Sequence, residues 1–325
     1  PSNEDGGGET DPGCTARRPL EGSSVPPNDN VAVAVAGITS RTEGGVHADM
    51  YEHGPELLGY PSERVYRFSY RGIDGPGLHE PYRSADTYGD LNAAAERLRE
   101  LLVAIGARHP GRRVDLVAHS QGGVVARAYL QNIASSTDPR LPQVEHLVTF
   151  STPHQGAPLA GAANRLRRSL IGSAAMLAAG WLSDRGLPIP DPTSPAVRQL
   201  DPASTFIEGL AEESLPFGTR ALTLSVADDL VVPADRASLP SQSAASLGPL
   251  GLSAHSGIVA SAEARGIARS FLRDAGPPCP SAWDRWGPRL GALIGGAEGA
   301  IPGALEAWDR VLPVAPPRLL MGYGL

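Results

Sequence analysis

The chain has 325 residues, of which 41% are hydrophobic, and it carries a formal net charge of −7. This length and hydrophobic content suffice for one large globular domain or two small ones. The basic residues form no run, so the sequence lacks the electrostatic footprint of a nucleic-acid-binding protein. All 28 basic residues are arginines, which excludes Schiff-base lysines, phosphate-loop lysines and lysine general bases.

The N-terminal residues 1–30 are polar, rich in Gly and Pro, and nearly without branched aliphatic side chains. Such a segment cannot bury enough apolar surface to order itself, so we expect a disordered tail. The chain starts at Pro1 without an apolar signal core, which is compatible with a processed export signal or a lost upstream segment. An extracellular or cell-envelope location is the expectation, with a cytoplasmic location as the alternative. No apolar run reaches the ~20 residues of a transmembrane segment.

Between residue 31 and residue 275, short apolar runs typical of buried strands alternate with longer segments that have the apolar periodicity of helices. Five short aliphatic or β-branched runs that end in turn residues predict strands at 31–37, 64–70, 113–119, 144–150 and 221–227. Two runs with apolar residues on one helical face predict helices at 90–106 and 262–272. This alternation predicts an α/β fold, with a mostly parallel central sheet flanked by helices.

One serine stands where a strand turns into a helix. The stretch VDLVAH before Ser120 is typical of a buried strand, and QGGVVARAYL after it is typical of a helix. In a parallel sheet, catalytic groups collect at the carboxyl ends of the strands. Ala118 and Gly122 flank Ser120 two residues away on each side, and a sharp strand-to-helix turn requires such small residues.

The sequence AHSQGG around Ser120 resembles the nucleophile elbow of the α/β-hydrolase superfamily, and in particular that of lipases and esterases with Ala in place of the first Gly. The resemblance implies an α/β-hydrolase catalytic domain over residues 31–275, with the nucleophile at Ser120. Residues 276–325 mix Pro, Gly, Trp and Arg without a steady period, so we expect an irregular C-terminal extension.

The superfamily order of serine, acid and histidine implies the partners of Ser120. His255 precedes the last helix, where the superfamily keeps its base. His146 lies within a predicted strand, and His154 belongs to STPHQGAP, which resembles a structural loop of lipase-like hydrolases. The stretch DLVVP resembles the DxVVP segment that carries the acid in many lipases, which favours Asp229 over its neighbour Asp228.

An oxyanion hole in this superfamily uses two backbone amides. One belongs to the residue after the nucleophile, here Gln121. The other comes from the loop after the first central strand, where His-Gly is usual and this chain has Ala36 and Gly37. The amide of Ile38 is the expected second donor, because such a hydrogen bond needs only backbone.

The segment from about 155 to 200 is too long for a simple connection and predicts a helical cap or lid. Its apolar helix places Leu177 and Trp181 near one face, as an acyl-chain wall would require, although a core helix fits this pattern equally well. The stretch SPAVRQLDPAS resembles the segment after the lid in secreted lipases and in lipase-like deacylases.

Together these features predict a serine carboxylic-ester hydrolase that acts on a small-molecule or lipid ester, with lipid-surface contact and without a cofactor or metal. An acyltransferase that uses the same acyl-enzyme and a catalytically silent binding module are the alternatives. The two cysteines, Cys14 and Cys279, lie far outside metal-ligand or redox spacing. A single disulfide and two free thiols both fit their positions.

Overall fold

The computed structural model describes residues 13–20, 25–42, 54–134, 138–158, 160–161, 193–212, 214–293 and 296. Among them, six strands form one sheet: β1 (Val31–Val35), β2 (Val65–Arg67), β3 (Val114–His119), β4 (Val144–Phe150), β5 (Arg220–Val226) and β6 (Ser243–Leu247). The strand order is β2-β1-β3-β4-β5-β6, and every neighbouring pair is parallel. Apolar residues predominate in β1, β3, β4 and β5, as is typical of a parallel sheet covered on both faces.

Helices cover both faces of this sheet. They are α1 (Leu91–Arg108), α2 (Gln121–Ala128), α3 (Pro195–Gln199), α4 (Thr205–Glu212), α5 (Ala254–Gly257), α6 (Ala262–Leu272) and α7 (residues 282–293). The Asp90 carboxylate caps α1 by accepting from the amides of Asn92 and Ala93, and the Ser261 hydroxyl caps α6. These caps fix where α1 and α6 begin.

The core has two layers, one on each face of the sheet. Val31, Val33 and Val35 of β1 pack on the face that carries α1 and α2. Ala32 and Ala34, which alternate with them, pack on the opposite face, where α6 lies. Because successive side chains of a strand point to opposite faces, one short segment contributes to both layers. The result is a three-layer α/β/α domain.

The parallel arrangement brings distant loops together. The segments that follow β1, β3, β4, β5 and β6 all leave the sheet at the same edge, because parallel strands share the direction of their carboxyl ends. These segments contain Ile38, Ser120, Asp229 and His255. The fold therefore places the predicted nucleophile, acid, base and oxyanion amides along one rim of the sheet.

The two terminal segments are joined to each other and to the domain. Cys14 and Cys279 form a disulfide with their Cα atoms 4.8 Å apart. Arg17 donates to the carbonyl oxygens of Cys279 and Ser246 at 2.8 and 2.9 Å, and it pairs with Asp284 at 2.5 Å. Residues 13–20 thus have defined contacts with the domain. Residues 1–12 and 21–24 of the expected disordered tail lie outside the described residues, so the tail stays a prediction. The covalent bond and Arg17 supply the anchoring that the local sequence lacks.

The predicted α/β-hydrolase fold class is confirmed. All five predicted strands are present, as are the helices predicted at 90–106, after Ser120 and at 262–272. The sequence missed β6, which reads SAASL. It also missed α7, within the stretch predicted to be an irregular extension. No helix in the described part of the chain has the length and the apolar character needed to cross a bilayer. Most of the expected cap, from 162 to 192, lies outside the described residues.

Candidate active site

Ser120 occupies the sharp turn between β3 and α2. Its backbone has φ 54° and ψ −132°, a conformation that non-glycine residues rarely adopt. The Ser120 amide donates to the carbonyl oxygen of Phe150 at 2.9 Å, which ties the turn to β4. Strain of this kind persists only where the surrounding structure holds it, and it clusters at functional sites.

The small residues beside Ser120 are required by close backbone approaches. A Cβ atom on Gly122 would lie 2.2 Å from the carbonyl oxygen of Val35, well inside any real contact. A Cβ atom on Gly37 would lie 2.7 Å from the Cβ atom of Ser120. Both glycines therefore allow the loop after β1 to lie directly against the turn that carries Ser120.

Three side chains from three separate segments form one hydrogen-bonded chain. His255, on α5, places its Nε2 atom 2.9 Å from the Oγ atom of Ser120 and its Nδ1 atom 2.9 Å from the Oδ2 atom of Asp229. Because a carboxylate only accepts, Nδ1 carries the proton, and Nε2 is left to accept from the serine hydroxyl. This is the arrangement that a serine nucleophile, its base and an orienting acid require.

The Asp229 carboxylate is completely buried and fully engaged. Its Oδ1 atom accepts from the amides of Val231 and Val232, each at 2.9 Å. Burial raises the pKa of this carboxyl, but the charge and hydrogen bond of His255 and the Val232 amide outweigh burial and hold the pKa below its usual value. Asp229 is thus ionised and fixed in direction.

The neighbouring Asp228 points elsewhere. Its two carboxylate oxygens accept from the amides of Leu250 and Gly251 at 2.9 and 2.8 Å, in the loop before α5. The two adjacent aspartates therefore have different roles. Asp229 binds the His255 side chain, and Asp228 stabilises the loop that precedes His255.

His119 contacts His255, and it was not among the predicted site residues. Its Nε2 atom donates to the backbone carbonyl of His255 at 2.8 Å, and the two rings lie 5.0 Å apart between centroids. His119, which directly precedes Ser120, thereby fixes the backbone of His255. Its position next to the elbow serine was the one available signal.

The two expected oxyanion donors belong to the two segments that border Ser120, the start of α2 and the loop after β1. The Gln121 amide is at the first position of α2, where helical amides have no partner within the helix. Ile38 directly follows Gly37, whose close approach to Ser120 is described above. Within the part of the chain that the structure describes, neither amide donates a hydrogen bond to the backbone.

The loop after β1 is anchored without the histidine that is usual in the superfamily. The Tyr70 hydroxyl donates to the carbonyl of Ala36 at 2.8 Å, and the Thr39 amide donates to the Thr87 hydroxyl at 2.9 Å. The Gln121 side chain donates to the Thr87 carbonyl at 2.8 Å. Burial raises the pKa of Tyr70, so this hydroxyl stays protonated as a donor.

His154 has a structural place outside this chain. It is 1% exposed, and its Nε2 atom lies 3.1 Å from the Thr149 hydroxyl. Its backbone carbonyl accepts from the Arg127 guanidinium at 2.7 Å. Burial holds the pKa of His154 well below its usual value, so the ring is neutral.

A second polar cluster lies at the opposite edge of the sheet. Asp115, Glu145 and His146 each offer one ligand atom within 4.8 Å of one another, as a metal site requires. The Asp115 carboxylate, however, accepts from Asn28, Asn30, Tyr60 and His146. The Arg220 guanidinium lies 2.6 Å from His146 Nε2. Four donors already engage the Asp115 carboxylate, and a cation contacts His146. These contacts favour a structural role for the cluster at the start of β3 and β4.

Leu177 and Trp181, the residues expected to line an acyl-chain wall, lie outside the described residues. The cap that they belong to therefore stays a prediction. At the described rim, Leu230 and Val231 directly follow Asp229, and these residues are 60% and 41% exposed.

The fold and the chain of three side chains define a protein with the α/β-hydrolase fold. Among solved structures, the propeptide form of Bacillus licheniformis lipase BlEst2 has this fold, with a TM-score of 0.50 and 18% identity over 82% of this chain and 56% of that one. Aspergillus fumigatus lipase B is similar at a TM-score of 0.46, with 16% identity over 85% of this chain and 62% of that one.

Legionella pneumophila phospholipase PlaB is a further similar structure, with a TM-score of 0.42 and 17% identity over 62% of this chain. The chain spans only 40% of the length of PlaB. A domain of unknown function, DUF7379, matches residues 90–219, which contain Ser120 but neither Asp229 nor His255. No curated protein matches the chain in sequence.

Proposed function

We propose that this protein is a serine carboxylic-ester hydrolase of the lipase and esterase type. The observation that carries the proposal is the hydrogen-bonded chain from Asp229 through His255 to Ser120, with both bonds at 2.9 Å. The strained backbone of Ser120 supports it, because such strain is typical of a nucleophile elbow.

In the proposed reaction, the Oγ atom of Ser120 attacks the ester carbonyl carbon while Nε2 of His255 takes the hydroxyl proton. Asp229 keeps the imidazole in the correct tautomer and stabilises the imidazolium that forms. The tetrahedral intermediate then expels the alcohol, which receives the same proton from His255. The acyl group remains on Ser120 as an ester. A water molecule, activated in turn by His255, attacks this ester and releases the carboxylic acid.

The negative charge of each tetrahedral intermediate falls on the former carbonyl oxygen. We assign its stabilisation to the amides of Ile38 and Gln121, which belong to the loop that lies against Ser120 and to the first turn of α2. Donors fixed in advance are effective here, because they need no reorganisation as charge develops. The positive end of the α2 dipole favours the same charge. The reaction uses only residues of this chain.

For the substrate we propose an acyl ester with an apolar acyl chain. Leu230 and Val231 supply apolar surface directly beside the acid, which supports contact with a lipid or a lipid surface. The expected acyl-chain wall of Leu177 and Trp181 belongs to this proposal. The Cys14–Cys279 disulfide supports the extracellular or cell-envelope location, because such bonds persist in oxidising compartments.

The test combines covalent labelling with turnover. A fluorophosphonate probe is expected to label the wild type at a single peptide that contains Ser120, and p-nitrophenyl esters from acetate to laurate are expected to be hydrolysed. Ser120→Ala removes the nucleophile with little change in volume, so turnover should fall by several orders of magnitude in a folded protein. Substantial turnover by purified, folded S120A, or a wild type without labelling or hydrolysis, would refute the proposal. An excess of transferred over hydrolysed acyl group in the presence of added alcohol would instead identify an acyltransferase.

A further inference from the structure

The loop after β1 contains a peptide group with two different partners. The carbonyl of Gly37 and the amide of Ile38 belong to the same planar group, so they point in opposite directions. Any contact that fixes the Gly37 oxygen therefore also fixes the direction of the Ile38 N–H, to which the proposed function assigns the oxyanion.

Ser40 holds the Gly37 carbonyl from behind. Its Oγ atom lies 2.6 Å from the Gly37 oxygen, and its amide donates to the same oxygen at 3.3 Å. The serine hydroxyl has a single proton, and the Gly37 oxygen can only accept. The proton of Ser40 therefore points at the Gly37 carbonyl.

Tyr82 completes a chain of hydroxyls. Its OH lies 2.9 Å from Ser40 Oγ, and both residues are buried, at 3% and 1% exposure. Because the Ser40 proton is already committed to Gly37, the Tyr82 hydroxyl is the donor to Ser40. The order of donation is Tyr82 to Ser40, Ser40 to the Gly37 carbonyl, and from the same peptide group the Ile38 amide to the substrate oxygen.

From this geometry we infer that Ser40 and Tyr82 are positioning residues for the oxyanion hole. The inference rests on the proposed function. Hydrogen bonds in a buried chain polarise one another, so a hydroxyl that donates to the Gly37 carbonyl makes the Ile38 N–H a stronger donor and keeps it aimed. The effect grows as negative charge develops on the substrate oxygen, so it stabilises the transition state more than the bound ester.

The neighbouring backbone shows why this loop needs such support. Thr39 has a φ of 65°, in the left-handed region that non-glycine residues avoid. A strained residue keeps its conformation only when its surroundings hold it. Ser40 and Tyr82 hold one side of the Ile38 peptide, in a loop where Ala36 stands in place of the usual histidine.

The experiment compares Ser40→Ala, Ser40→Thr, Tyr82→Phe and the double variant S40A/Y82F. The matched control is Ser69→Ala, because buried Ser69 also donates to a carbonyl, that of Glu80, at 2.6 Å. For each protein, kcat and KM are measured with p-nitrophenyl acetate, and binding is measured with a phenylboronic acid. The boron atom of this acid bonds to Ser120 Oγ and becomes tetrahedral. One of its oxygens then lies in the oxyanion hole.

We expect S40A to lower kcat by about tenfold or more. This loss is smaller than the roughly 10²–10³-fold loss in kcat that follows removal of a whole oxyanion-hole donor. Boronate affinity should fall by a similar factor, while KM changes less than twofold. S40T should recover most of the loss because it keeps the hydroxyl. The double variant should resemble S40A, since residues in one chain are not additive.

The inference is overturned if S40A loses no more kcat than S69A, if boronate affinity does not follow kcat, or if S40T fails to recover activity while its melting temperature equals that of the wild type. Failure of the proposed function has a different signature. In that case the wild type itself neither turns over the ester nor is labelled at Ser120, and the inference falls with it.

Discussion

The Nδ1 atom of His255 lies 2.9 Å from the Oδ2 atom of Asp229, whereas the adjacent Asp228 accepts from two backbone amides of the following loop. Two carboxylates one residue apart thus have different partners. Their isosteric substitutions separate the two tasks, since asparagine keeps the shape and removes the charge.

Asp229→Asn should lower kcat by about 10⁴, because the amide no longer fixes the tautomer of His255 or stabilises its imidazolium. Asp228→Asn should keep kcat within a few-fold and lower the free energy of unfolding by about 1 kcal/mol, the scale of one hydrogen bond. Steady-state kinetics with p-nitrophenyl butyrate and urea unfolding measure both effects. The opposite ranking would move the acid by one residue and leave the mechanism otherwise intact.

The cap is tested by acyl-chain length. If Leu177 and Trp181 line an acyl-chain wall, the double alanine variant should lose about tenfold or more in kcat/KM for octanoate and longer esters. The loss reflects roughly 0.8 kcal/mol per buried methylene. Acetate esters, which are too short to reach the wall, should change little and serve as the internal control. Equal losses for both esters in a well-folded protein would make this segment a core element.

Buried His154 predicts a pH dependence of stability. Its pKa lies well below the usual value in the folded protein, so below about pH 6.5 the unfolded chain binds a proton that the folded chain does not. Stability from this group is therefore fully present above pH 6.5 and falls as the pH decreases, by about 1.4 kcal/mol per pH unit.

His154→Gln removes this titration. The difference in free energy of unfolding between wild type and H154Q should therefore shift against the wild type between pH 6.5 and pH 5. Urea unfolding at several pH values gives that difference directly. Parallel curves for the two proteins would show that His154 titrates alike in the folded and unfolded states.

The Cys14–Cys279 disulfide predicts a stability effect that depends on oxidation. Replacing both cysteines by alanine should lower the free energy of unfolding by about 2–4 kcal/mol, because the unfolded chain loses a long covalent loop. Dithiothreitol should destabilise the wild type to a similar extent. The variant that lacks both cysteines is the control for the reductant, because dithiothreitol should leave its stability unchanged. Insensitivity of the wild type to reductant would mean that the bond does not constrain its unfolded state.

Much of the fold follows from local patterns in the sequence. The strand around Val33 consists of aliphatic residues, the strand around Leu116 is mostly aliphatic, and α1 has its apolar residues on one face, so these elements were predictable. Strand β6 was missed because Ser and Ala have weak strand preference, and pairing with β5 alone makes it a strand. Helix α7 was missed because its sequence around Gly287 and Pro288 is typical of irregular structure.

The candidate site was predictable where a motif fixes the residue. Ser120 has the strand-turn-helix context, and the chain order pointed to His255. The loop contacts were not predictable, because Ser40 and Tyr82 are 42 residues apart and nothing in either local sequence indicates the other. The choice between Asp228 and Asp229 depends on turn geometry, which sequence determines poorly.

The disulfide also changes the topology of the molecule. With Cys14 and Cys279 bonded and their Cα atoms 4.8 Å apart, the intervening backbone is a closed covalent ring that contains all six strands and the candidate active site. A single proteolytic cut anywhere in this ring would leave one molecule of unchanged mass, apart from one added water, until the bond is reduced. The ring is also a natural template for circular permutation, because residues 14 and 279 already lie close enough for a short peptide linker to connect them.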